Sequence, residues 1–199
     1  MSKPNKKEFN RESLLNQGVV FFMNQGYHGT GLQEILDAVN VPKGSFYNYF
    51  SNKEEFGAAV IQHYIEPIIS RLSTHLQQQS SSDALGAIRR YFDELIVELE
   101  ENQFKGGCLL GSLMGEIGST SDVCQQSLQS AIARYRDLLQ SGLAQAQQQG
   151  SIRTDKTSEE MADLLINAWQ GALLRMQIEK SSAPVKQCCH DLLNDFFMR

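Results

Sequence analysis

Apolar residues recur along this chain at three- and four-residue intervals, a spacing that predicts helices. Leu14, Leu15, Val19, Phe22 and Met23 form the first stripe, in a helix beginning near Phe9, and Gly26 is placed to stop it. Thr30 is placed to cap a second helix with Leu32, Ile35, Leu36 and Val39 on its buried side. Asn40-Val41-Pro42 breaks that helix, because Pro42 disfavours helical geometry in the residue before it. A short third helix then runs from Pro42 or Lys43 to about Tyr49 or Phe50. Ser51, with Glu54 three residues on, has the capping-box pattern for a fourth helix. That helix reaches about Gln78, with Phe56, Val60, Tyr64, Ile68 and Leu72 at four-residue spacing, and Pro67 inside it predicts a kink or a break.

Gln77 to Ser82 is a polar low-complexity run and reads as a loop. Further helices are expected at about 83–102, 108–119, 122–149, 157–180 and 185–198, separated by Gly106-Gly107, the Ser119–Ser121 cluster, Gly150 and Ser181 to Pro184. No segment combines strand periodicity with Val, Ile and Thr enrichment, and no repeat has a fixed period. The fold class is therefore all-α, and 199 residues suffice for one domain or for a small module fused to a larger one.

Residues 33–49 have the size of a helix-turn-helix, whose second helix enters the DNA major groove. Phe46 and Phe50 share one face and can pack inward, which leaves Lys43, Ser45, Tyr47 and Asn48 to point outward. A cation, a hydroxyl, a phenol and a carboxamide can all reach phosphates or base edges. Gly44 has no side chain to keep the helix start away from a phosphate, and Lys53 can add a further phosphate contact. The plainer reading makes Tyr47 and Tyr49 packing aromatics, and Lys43 and Lys53 solvated charges. The net charge of −5 at first argues against DNA. Residues 1–56 are balanced, however, so the remainder carries the whole excess, and the basic residues of that segment gather in the N-terminal tail and around residues 40–53.

Residues 18–61 resemble the DNA-binding domain of the tetracycline-repressor (TetR) family. The resemblance rests on Gly26-Tyr27, Thr30, Glu34-Ile35, Val41-Pro42-Lys43-Gly44-Ser45-Phe46-Tyr47, Tyr49-Phe50 and Lys53-Glu54-Glu55-Phe56. Gly31 departs from the pattern, since many members carry a second hydroxyl residue there. The resemblance implies an all-α protomer of about nine helices: a three-helix DNA-binding domain over residues 1–52 and a larger helical ligand-binding and dimerisation domain over 53–199. It implies a homodimer built on the last two long helices, and a repressor of a palindromic operator. It also implies release by a small-molecule inducer that changes the separation of two heads fitted to half-sites about 34–36 Å apart. The DNA-contacting set is then Thr30, Lys43, Gly44, Ser45, Tyr47, Asn48, Tyr49 and Lys53.

In the second half, Met161, Leu164, Leu165, Ala168, Ala172 and Met176 stripe one helix, and Val185, Cys188, Cys189, Leu192, Leu193 and Phe196 stripe the next. Two such helices suit a four-helix dimer interface, or else an intramolecular core. Four glycines lie between Gly106 and Gly115, each weakening a helix by about 1 kcal/mol relative to Ala. The Gly-Cys-Leu start there, with Leu113 and Glu116 following, resembles a TetR subgroup in which some members sense electrophiles or oxidants through a cysteine and others bind small acids. Cys108 falls in the first turn of its helix, where the dipole favours a thiolate and Lys105 lies close in sequence; the alternative is an inert buried thiol, the commonest state of a free Cys. Met114, Tyr135, Trp169, Leu173 and Met176 are pocket candidates, with Glu116, Gln170 and Arg175 as orienting groups.

Cys108, Cys124, Cys188 and Cys189 fit neither a disulfide framework nor a metal site, and the scattered His residues add no ligand cluster, so no metal or cofactor is implied. The N-terminus shows no apolar signal segment, which places the protein in the cytoplasm, away from membranes. An enzyme finds no GxSxG, P-loop, GxGxxG or paired-carboxylate motif to rest on. A helical adaptor without a DNA-reading role is the remaining rival.

Overall fold

The computed structural model describes residues 6–79, 83–105 and 107–198, and among them every regular element is helical. The elements are α1 (Lys6–Gly29), α2 (Leu32–Ala38), α3 (Lys43–Phe46), α4 (Lys53–Gln79), α5 (Ala84–Glu101), α6 (Leu109–Ile117), α7 (Asp122–Gln148), α8 (Ser158–Glu179), α9 (Ala183–Cys189) and a π-helical segment, His190–Phe196. They form two compact units: one comprises residues up to Glu66 together with Cys108–Ala131, the other Pro67–Gly107 and Ile132–Arg199. The division expected at 52/53 falls inside the first unit, which also takes in α6 and the start of α7.

The first unit follows the hydrophobic pattern closely. Gly26 interrupts helical geometry as expected, with φ 73°, and one more turn carries α1 to Gly29. Thr30 does not cap α2. Its hydroxyl donates back to the Gly26 carbonyl at 2.7 Å, and Gly31 occupies the cap position with no side chain to offer. The Thr30 hydroxyl thus supplies a donor to the carbonyl at the helical break at Gly26. The α4 cap lies one residue later than expected. Asn52 Oδ1 accepts from the Glu55 amide at 2.8 Å, and the Glu55 carboxylate accepts from the Ser51 amide at 3.0 Å, which also pulls its pKa below the ordinary carboxylate value. Pro67 lies inside α4 without ending it.

At the centre of this unit Phe22, Phe46, Phe50 and Phe56 pack edge-on or tilted, with centroids 5.0–5.9 Å apart. Such pairs add about 0.5–1.5 kcal/mol each beyond the area they bury. Gly18 lets α1 close on α4, since a Cβ there would strike the Phe56 ring and Val60. Leu109, Leu110, Leu113 and Ile117 of α6, and Cys124 and Leu128 of α7, are buried in the unit's core. Packing of this kind offsets the weak helix propensity of the glycine-containing stretch at α6.

In the second unit α5 is capped by Asp83, which accepts from the Gly86 amide at 2.9 Å, and α8 begins with a complete capping box between Thr157 and Glu160. Leu85, Ile88, Tyr91, Phe92, Leu139, Leu143, Met161, Leu165 and Met176 fill its core. The single helix expected over 185–198 is instead α9 followed by wider π turns. Arg89 Nη2 donates to the Leu193 carbonyl at 2.6 Å, and the Phe197 amide reaches back five residues to Leu192 at 2.9 Å. A carbonyl engaged from outside loosens the ordinary ladder, and the wider winding keeps both Leu193 and Phe197 buried.

Candidate nucleic-acid interface

A four-residue helix has too few internal hydrogen bonds to persist alone. α3 is held by one side chain, Phe46, which is fully buried among Phe50, Phe56 and the edge of Tyr47. With Phe46 pointing inward, helical geometry turns its neighbours outward. Tyr47 is 53% exposed, its ring set at 87° to that of Phe46. Lys43, Gly44 and Asn48 are exposed, and Ser45 and Tyr49 half-buried. Nothing lies within 4 Å of a Cβ built on Gly44, so a flat partner can approach the backbone there. Six of the eight expected DNA-contacting residues therefore share one short stretch whose outer edge is polar and open.

The other two are engaged at the end of α1. Thr30 is 2% exposed, with its hydroxyl spent on Gly26. Lys53 Nζ donates to the carbonyls of Tyr27 and Thr30, each at 2.6 Å, and sits 4.3 Å from the Tyr27 ring centroid. Burial lowers its pKa, and the negative charge of Glu116 opposes that. Lys53 thus neutralises the carbonyl end of α1 in this structure. Two contacts here escaped the sequence reading. Arg11 is exposed, its guanidinium 5.5 Å from the centroid of Phe50. Glu116, expected to orient a ligand, accepts from the His28 amide at 3.2 Å. Neither contact has a local signal, because 39 residues separate the first pair and 88 the second.

Of the expected sensing residues, Cys108, Met114 and Glu116 belong to the first unit, and Tyr135, Trp169, Gln170, Leu173 and Arg175 to the second. Cys108 is half-buried at the N-cap of α6, and Met114 is exposed. The Tyr135 hydroxyl accepts from the buried Tyr91 at 3.3 Å, and Trp169 packs edge-on to Phe92 with centroids 4.9 Å apart. Leu173 and Met176 are buried and Gln170 half-buried; Arg175 is exposed and pairs with Glu179 at 2.8 Å. The remaining thiols are quiet. Burial pushes the Cys188 and Cys189 thiols up to about 11 and about 12 and raises that of Cys124, which also donates to the Glu54 carbonyl. An open groove of about 450 Å³ in the second unit is lined by Pro67, Ser70, Arg71, Thr74, His75 and Glu94. Arg71 pairs with Glu98 at 2.5 Å, and His75 Nε2 lies 2.9 Å from a Glu94 carboxylate oxygen.

Residues 14–60 match the family model for bacterial regulatory proteins of the tetR family, and residues 84–192 match that for the tetracyclin repressor-like C-terminal domain. The HTH-type transcriptional repressor DhaR of Mycobacterium sp. strain GP1 is 36% identical over 177 residues, spanning 89% of this chain and 87% of that protein. The transcriptional regulator AcuR of Cereibacter sphaeroides is 30% identical over 174 residues, spanning 87% of this chain and 79% of that protein. Among solved structures, the reduced form of Escherichia coli NemR is 28% identical and superposes with a TM-score of 0.83, covering 96% of this chain and 98% of that one.

Proposed function

This chain belongs to the TetR family of bacterial transcriptional regulators, and from that premise we propose that it works as a homodimeric repressor whose α3 reads a palindromic operator and which a small molecule or electrophile releases. The observation that carries this reading is the division of residues 43–48, α3 and the turn after it, into a buried Phe46 and an open edge of Lys43, Gly44, Tyr47 and Asn48. Lys43 supplies charge to a phosphate, Gly44 lets the backbone come near one, and Ser45, Tyr47, Asn48 and Tyr49 supply donors and acceptors for base edges or phosphates. Such work on DNA places the protein in the cytoplasm. An adaptor without a DNA-reading role leaves the open edge of α3 without a purpose. The test is a mobility shift on duplexes flanking the gene at two salt concentrations. Retardation that weakens as salt rises and prefers a palindrome supports the reading, and no retardation of any flanking duplex overturns it.

The partner copy is proposed to cover α8. Leu164, Gly171, Leu174 and Ile178 fall on one side of that helix; Leu174 is 62% and Ile178 86% exposed, and the Cβ position of Gly171 is open. A second α8 laid there buries these side chains and meets no bulk at Gly171. We expect Ile178→Glu to turn a dimer into a monomer by analytical ultracentrifugation and to lower operator affinity about a hundredfold or more, since one head without its partner loses the gain of simultaneous binding. A wild-type protein that sediments as a monomer removes this interface.

For the ligand, the proposal assigns Cys108 to electrophile sensing and Tyr135, Trp169 and Leu173 to the second unit's apolar ligand contacts. Cys108 differs from the other thiols in combining partial exposure with a position at a helix N-terminus. Cys108→Ser is expected to blunt release of operator DNA by a quinone while leaving affinity without quinone unchanged. A mutant that is released normally makes the thiol structural.

A further inference from the structure

α6 packs against α1 within the first unit, and Glu116 brings a carboxylate to the end of α1 where the chain turns toward α2. Glu116 lies one residue before the end of α6. Its Oε2 accepts the His28 backbone N–H at 3.2 Å, and its own carbonyl accepts from His28 Nε2 at 3.3 Å. Gly26 completes the fit. Its φ of 73° suits glycine, and a Cβ there would run into both carboxylate oxygens of Glu116. Behind the turn Lys53 holds the carbonyls of Tyr27 and Thr30, and the charge of Glu116 acts on that ammonium. Gly26, Tyr27, His28 and Thr30 are thus engaged by a carboxylate from α6 and an ammonium from α4.

The next elements are α2, of seven residues and without a side-chain cap, and α3, of four. Helices this short take their orientation from what anchors them. Their entry point is the stretch 26–30, and Glu116 ties it to α6, a helix outside α1–α4.

We infer that Glu116 is a positioning residue for operator reading, fixing the α1–α2 turn and through it the aim of α3 while touching no DNA. The inference rests on the reading of α3 as the recognition helix. Glu116→Gln keeps an acceptor oxygen for the His28 amide but removes the charge acting on Lys53, whereas Glu116→Ala removes both. The probe is a labelled duplex selected from a random pool by the wild-type protein, measured by anisotropy beside an unrelated duplex, at a temperature where circular dichroism shows each variant folded. Specific affinity is expected to fall about tenfold for the Gln variant and up to about a hundredfold for the Ala variant. Affinity for the unrelated duplex at low salt stays unchanged, because phosphate attraction does not need the aim to be right. Equal losses on both duplexes, or an unchanged ratio between them, overturn the assignment; if the Ala variant does not fold, the Gln variant decides. Tyr47→Ala run in parallel separates two failures. If it lowers the ratio and the Glu116 variants do not, the positioning role alone is wrong; if it too leaves the ratio unchanged, the recognition-helix reading falls as well.

Discussion

Replacement of Tyr47 by Ala is expected to bring operator affinity down toward the level of unrelated DNA while helicity and oligomeric state stay as in the wild type. The two halves of this expectation have separate causes. Tyr47 is 53% exposed and its ring stands at 87° to that of Phe46, so its loss costs stability little, within about 0.5 kcal/mol for an exposed side chain. On DNA a good contact carries about 1–3 kcal/mol, and a dimer loses it twice, which gives about 2–6 kcal/mol or roughly thirtyfold to ten-thousandfold. Specific binding typically exceeds non-specific binding by about a thousandfold or more, so this loss removes much of that margin. Anisotropy titration of the selected duplex measures the affinity, and circular dichroism and ultracentrifugation provide the controls. A variant that binds as tightly as the wild type takes Tyr47 out of the reading edge.

Phe46→Ala acts one residue away and by the opposite route. Phe46 is fully buried, with Tyr47, Phe50 and Phe56 around it at centroid distances of 5.3–5.6 Å. Truncating a buried Phe costs about 3–5 kcal/mol, a large part of a total stability of about 5–15 kcal/mol. For a chain of this length the melting temperature should fall by about 6–20 °C. Operator binding is lost as well, because α3 buries no other side chain that could hold it in place. A thermal melt followed by circular dichroism checks this. A midpoint within about 2 °C of the wild type shows that the helix is anchored elsewhere. The pair of substitutions distinguishes the inner and outer sides of residues 43–48: one is expected to alter binding with the fold intact, the other to alter binding through the fold.

The helices were legible wherever an apolar stripe ran long enough to fix a period. The expected helices at 83–102, 122–149 and 157–180 are found as α5, α7 and α8 to within two residues at either end. Termini were read less well, for a specific reason. Thr30 and Ser51 are good capping residues by type, but a cap is an arrangement of atoms. The Thr30 hydroxyl bonds the Gly26 carbonyl, and at the start of α4 it is the Asn52 side chain that accepts from the Glu55 amide. The π winding after α9 carries no pattern of its own either, because the Leu193 carbonyl is drawn out of the helical ladder by Arg89, 104 residues earlier.

The order of polar and apolar residues was enough to determine an all-helical chain and the outward polar edge of α3, because helical periodicity alone assigns neighbouring residues to opposite faces. It could not assign Lys53 and Glu116. Both are charged side chains on helix surfaces in the linear pattern, and each is committed by a partner that only the folded backbone brings near: Lys53 to the carbonyls of Tyr27 and Thr30, Glu116 to the amide of His28. A backbone group at a helix end is left without a helical partner, and the side chain that supplies one is the one that packing delivers, at whatever distance along the chain.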